Sequence, residues 1–146
     1  MKDFFLELFL YNHLVNDKII EVMLSADKVP LRATQLTSHI LLVHESWNNR
    51  MLGKVGLNEF WKEIPLNEMH SINLSLLEAT KNIISNNDLN DIVSYKNTKG
   101  IEFTNTFKDV LFHVVNHNTY HKGQINVHFR NAGIEPVIAD YIFYKR

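Results

Sequence analysis

Apolar residues recur along most of this 146-residue chain at intervals of three and four rather than two. That is the spacing of a helix with one face turned inward. Phe4, Leu8, Tyr11, Val15, Ile19 and Val22 mark a first helix over 3–24. Residues 25–30 read as a turn, and a second helix follows over 31–52. Its stripe is Leu36, Ile40, Val43, Trp47 and Met51, and Gly53 and Gly56 end it. Residues 57–66 form a connection whose bulky Phe60 and Trp61 fold over the helices. Asn67 is the expected N-cap of a third helix over 68–85, with Ile72, Leu76, Ala79 and Ile83 inward.

After a loop at 86–90 the period changes. The segment IVSYKNTKGIEFTNT alternates apolar and polar residues around 97–100, which predicts a short β-hairpin. Thr104 or Asn105 is then expected to cap a long fourth helix over 106–131, with Gly133 at the position that ends it in a left-handed turn. Pro136 opens an irregular tail. Five glycines and three prolines leave room for long helices, and no repeat or linker divides the chain. The expectation is one all-α domain over 1–146, a four-helix bundle with a short hairpin before the last helix.

The stripe of the fourth helix does something a core stripe should not. It begins with Phe107, Val110 and Val114 and continues with His117, His121, Gln124 and His128. A buried imidazole without a partner costs free energy, so it needs a hydrogen bond or a metal ion. His117 and His121 stand one turn apart, and both imidazoles leave one face of the helix. Imidazole nitrogen ligates zinc, nickel, copper and iron. His113 lies one turn earlier, but about 100° per residue carries it some 80° away from His121. Core histidines bonded to backbone would give the same spacing, so a third ligand is needed. The second helix offers His39 and His44, on opposite flanks of its stripe, and periodicity does not choose between them. His13, His70, Glu45 and Asp109 read as structural or solvated.

Composition narrows the chemistry. The absence of cysteine removes disulfides, thiolate ligands and a protein thiol nucleophile, leaving His, Asp and Glu as metal ligands. A formal net charge of -1 gives no electrostatic footprint for nucleic acid or an anionic membrane. No run reaches the roughly 18 apolar residues of a membrane span. Asp3 and Glu7 interrupt the apolar start, which therefore reads as an amphipathic helix rather than a signal peptide, and the expected location is cytoplasmic.

Two segments together carry a resemblance. HVVNHNTYHKGQI followed by RNAGIEP, and upstream SHILLVHESWNNRM, resemble the DinB/YfiT-like family of metalloenzymes over essentially the whole chain. The family pattern is close to H-x-x-N-H-x-x-x-H-R-G-Q, with a His eight residues before a Trp and an Arg three beyond it. The resemblance implies an up-down-down-up bundle, often dimeric, that binds zinc or nickel. It makes His39, His117 and His121 the metal ligands. It sets His44 beside the site, where it either supports a ligand or faces substrate. Gln124 reads as a hydrogen-bond partner of a ligating His or of a metal-bound water, and Trp47, His113 and Tyr120 as neighbours of the site, although plain packing suits the aromatics better. Gly123 would let another helix backbone approach. Lys122 departs from the family, which usually has Arg there, and so loses the planar guanidinium fork.

Three histidines with an open position are a catalytic rather than a closed structural geometry. Some relatives are thiol-dependent S-transferases, so the leading expectation is a metal-dependent enzyme acting on a small molecule with a low-molecular-weight thiol. The rivals are a hydrolase using metal-bound water, a non-catalytic metal-binding stress-response protein, and a bundle whose histidines only pack.

Overall fold

The computed structural model describes residues 1–97 and 99–146. In chain order the elements are α1 (Lys2–Ser25), α2 (Leu31–Met51), a 3-10 turn (Leu66–Glu68), α3 (Met69–Asn86), β1 (Ile92–Lys96), β2 (Glu102–Thr106), α4 (Phe107–Asn131) and the short α5 (Tyr141–Tyr144). The long helices begin and end within one residue of the bounds their periodicity predicts. They form a bundle in which α1 packs on α3, α3 on α2, α2 on α4 and α4 back on α1. The strands pair antiparallel from Ile92 opposite Thr106 to Lys96 opposite Glu102. The predicted turn at 97–100 contains Thr98, which lies outside the described residues.

Local chemistry sets the ends. Pro30, with φ fixed near the helical value, precedes α2, and Gly53 at φ 70° closes it. The start of α4 is the best defined. Thr106 accepts from the Asp109 backbone N–H while the Asp109 carboxylate accepts from the Thr106 N–H, a reciprocal capping box. The cap is thus Thr106, not Thr104 or Asn105, because the β2 ladder runs through Thr106 and the helix starts only after it. Asp109, read as solvated, has a structural task.

Other expectations need correction. Asn67 does not cap α3; it lies in the 3-10 turn that leads into the helix. In α1 the predicted stripe is buried at Leu8, Tyr11, Val15 and Ile19 but not at its first position, where Phe4 is 53% exposed and Phe5 is buried instead. Gly123 meets no other atom within 4 Å of where a Cβ would stand, so no helix approaches it. The tail is not wholly irregular. Asn126 brackets Val137 with two backbone hydrogen bonds of 2.8 and 2.9 Å, Tyr11 donates to the Ala139 carbonyl, and α5 closes the chain.

The core is apolar at both ends and polar in the middle. One apolar cluster runs from Val15 through Leu36 and Ile40 to Ile125 and Phe129; the other joins Phe9, Ile84, Phe107, Leu111 and Val114. Between them on α1, α2 and α4 lie buried Asn12, Asn16, His44, Asn48, Asn118 and Lys122, joined by Asn73 and Thr80 from α3. Buried polar groups survive where each finds a partner. Lys122, with 0% of its surface exposed, donates to the Asn12 carbonyl at 3.2 Å and to its Oδ1 at 2.5 Å. Burial still pushes its amine down to about 7. A compact ammonium between two carbonyl oxygens needs no planar fork, which explains how Lys stands where an Arg is usual.

Candidate metal centre

His39 from α2 and His117 and His121 from α4 meet at the edge of the polar layer. The Nε2 atoms of His39 and His121 lie 3.2 and 3.1 Å from the Nε2 of His117. These residues form a group whose ligand atoms are all within 4.8 Å of one another.

What lies behind two of the rings decides what they offer. His39 Nδ1 is 2.8 Å from the Phe60 carbonyl, which can only accept, so Nδ1 carries the proton. His121 Nδ1 sits 2.7 Å from Gln124 Oε1 and donates to it. Both Nε2 atoms are therefore bare lone pairs aimed at a shared point with a third imidazole nitrogen. A single His117 Nε2–H would satisfy one of them at most. Burial and the neighbouring imidazoles push His117 down to about 3, and burial lowers His39 despite the Phe60 carbonyl. Both shifts favour the neutral imidazole, the state that binds a metal.

The separations also fit. Tetrahedral ligation at about 2.0–2.1 Å per nitrogen places ligand atoms roughly 3.3–3.4 Å apart, close to the 3.1 and 3.2 Å of the two pairs that include His117, the third pair lying within 4.8 Å. One detail departs from the usual pattern of supported ligands. His117 Nδ1 is buried and meets no hydrogen-bond partner among the described residues.

The connection between α2 and α3 does more than fold over the helices. The side chains of Ser38 and Ser46, both fully buried, accept from the backbone N–H of Ile64 and Leu57 at 3.1 and 3.0 Å. These two pins lay residues 57–64 along α2 and bring the Phe60 carbonyl over His39. Trp61 then stacks on the His39 ring at 4.0 Å and 9°, with the Arg32 guanidinium 4.7 Å from the indole centre. Tyr120 meets His121 edge-on at 5.0 Å. The Phe60 carbonyl, Trp61 and Arg32 carry no periodic signal; the one trace in the sequence is the pair of small polar residues eight apart on α2.

The remaining candidates separate. Gln124 is a direct partner of His121. His113 stands beside the group, its ring 5.7 Å from that of His117 and 5.3 Å from Trp47, and is not one of the converging residues. His128 lines a small hollow with Arg32 and Gln124. His44 is elsewhere. It is buried against Phe9, and its Nε2 pairs with the Thr80 hydroxyl at 2.8 Å. The expectation that His44 adjoins the ligands or faces substrate is not met, because its ring turns toward α1 and α3. His13 and His70 both pair with Asp17, at 3.2 and 3.0 Å, as structural partners on the α1–α3 seam. No carboxylate is hydrogen-bonded to His39, His117 or His121 among the described residues.

Comparison with known proteins gives a match to the DinB family across residues 1–146. Protein DinB of Bacillus subtilis (strain 168) is 28% identical, over 99% of this chain and 95% of the relative.

Proposed function

Because the chain belongs to the DinB family, we propose that His39, His117 and His121 hold a divalent metal ion, zinc or nickel, at the centre of an enzyme that transfers a small thiol to an electrophile. The observation that carries this reading is the convergence of three imidazole Nε2 atoms with the His39 and His121 rings fixed from behind. When bound, the ion supplies Lewis acidity to the thiol or carbonyl of a small substrate.

The chain's own residues do the rest. Phe60 and Gln124 lock the tautomers of His39 and His121, so both present lone pairs without reorganisation. Trp61 covers the His39 ring and shields that side from water. With no cysteine in the chain, the sulfur comes from a cosubstrate. Hydrolysis is the weaker reading, since no carboxylate base touches the histidines.

Metal quantitation on untagged protein tests the first half. About one ion per chain is expected, and its absence from protein refolded with zinc or nickel would remove the proposal. Turnover of an electrophile with a low-molecular-weight thiol tests the second half. Loaded protein that leaves thiols untouched, yet hydrolyses esters or amides, would shift the reading to a hydrolase.

A further inference from the structure

A cavity of ≈ 480 Å³ opens between the C-terminal end of α2 and the hairpin, and none of the three histidines lines it. Arg50, Lys54 and Lys96 line it together with a single carboxylate, Glu102. Glu102 is already paired with Lys96 at 3.2 Å. The surplus is positive, in a protein whose formal net charge is -1.

Arg50 is the unusual member. Its guanidinium lies over the rings of Trp47 and Tyr95, 4.5 and 5.1 Å from their centres. Stacking of this kind engages the face of the guanidinium and leaves its edge, with five N–H donors, to other partners. Among the described residues that edge meets no acceptor and no carboxylate. A half-buried cation without an anion is costly to keep. Burial lowers Arg50 from its ordinary range, in the sense expected of a charge deprived of water.

The neighbouring loop is shaped around this side chain. A Cβ on Gly56 would stand 2.7 Å from Arg50 Nε and 2.8 Å from Ser46 Oγ, so the backbone closes down on the guanidinium only because residue 56 is glycine. The Ser46–Leu57 hydrogen bond pins the loop there. The same Trp47 that carries Arg50 touches His113 at 5.3 Å, and His113 lies 5.7 Å from His117. Trp47 and His113 therefore stand between Arg50 and the three-histidine group.

We propose that this cavity is an oxyanion subsite, in which the Arg50 fork, flanked by Lys54 and Lys96, takes the carboxylate or phosphate of a small molecule. Guanidinium matches the planar, two-oxygen edge of either group, which ammonium does not. The anion subsite stands independently of the metal reading.

Inorganic phosphate and acetate, titrated at constant ionic strength against chloride, test it on the full chain as wild type and as His117→Ala. The first readout is the Arg50 Nε–Hε resonance, assigned by its loss in Arg50→Lys. The second is tryptophan fluorescence, since Trp47 touches Arg50. Saturable shifts are expected with at least one anion in both proteins, and the stronger of the two identifies the group. Affinity should fall roughly tenfold or more in Arg50→Gln, and nearly as far in Arg50→Lys. Gly56→Ala, which keeps the charge and displaces the fork, should also weaken binding. Shifts that disappear in His117→Ala would put the anion on the metal and overturn the subsite. So would the absence of saturation in wild type, or equal affinities in wild type and Arg50→Gln.

Discussion

His39 and His44 lie on one helix, both buried, and could hardly be more different. His44 faces a hydroxyl. Thr80 pairs with its Nε2 at 2.8 Å, and the same hydroxyl lies 3.0 and 2.8 Å from Asn48 Oδ1 and the Leu76 carbonyl. His39 faces two other imidazoles, and its lone pair meets no hydroxyl or amide. A buried histidine paired with a hydroxyl belongs to the core. Buried histidines whose lone pairs converge are incomplete until something electrophilic joins them. The difference lies in what the opposite helix presents, not in the histidine.

The strongest way to break this contrast is to remove one imidazole from each side. His117→Ala is expected to weaken metal binding by more than about 100-fold, the scale on which even supporting residues matter. His44→Ala should leave metal content unchanged and cost about 2–3 kcal/mol in denaturant unfolding, through the cavity and the abandoned Thr80 hydroxyl. Metal lost from His44→Ala, in protein shown to be folded, would mean that the two regions are one.

A second experiment sharpens the role of outer partners. Gln124→Leu removes the acceptor behind His121 and frees the ring to rotate. A loss of about 10-fold or more in metal affinity is expected by competition with a chelator. An unchanged affinity would show that packing alone orients the ring.

Acid separates the regions next. Burial holds His44 down to about 3, against 6.5 in an unfolded chain. The unfolded state therefore takes up its proton first as pH falls, so this contribution is fully present above about 6.5 and is lost progressively toward 3. His39 and His117 are lowered as well and add slope of the same sign. The difference between wild type and His44→Gln, followed by thermal melting from pH 7 to 4, isolates His44. A shallower acid limb is expected for the variant; parallel curves would contradict a neutral buried His44.

The smallest effect tests the outer side of the same helix. Gly123 is exposed, has ordinary helical backbone and leaves open space where a Cβ would go. Gly123→Ala should raise stability by about 1 kcal/mol without changing metal content. Destabilisation would reveal a partner surface against α4.

Much of this was readable from the residues. The four helical stretches follow from spacing, and His117 with His121 from one turn of α4. The choice between His39 and His44 was not legible in periodicity, because each flanks the α2 stripe. It is made by Thr80 on α3 and by His117 on α4, both distant in sequence. The cap of α4 was legible in the Thr106–Asp109 spacing, yet Thr104 and Asn105 offer the same chemistry, and only the strand ladder excludes them. That Phe60 and Trp61 fold over the helices was legible, but that they meet His39 was not, because a connection has no period. Their position depends on two serine hydroxyls reaching backbone N–H groups.

Thr106 is both the last residue of β2 and the cap of α4, so strand passes into helix with nothing between. That junction sets an angular datum for everything downstream. One residue inserted there, with the hairpin register kept, would turn His117 and His121 together by about 100° and carry both away from His39. Chain length can vary in the connection of the hairpin at no such expense; at Thr106 it is fixed by where two imidazoles must point.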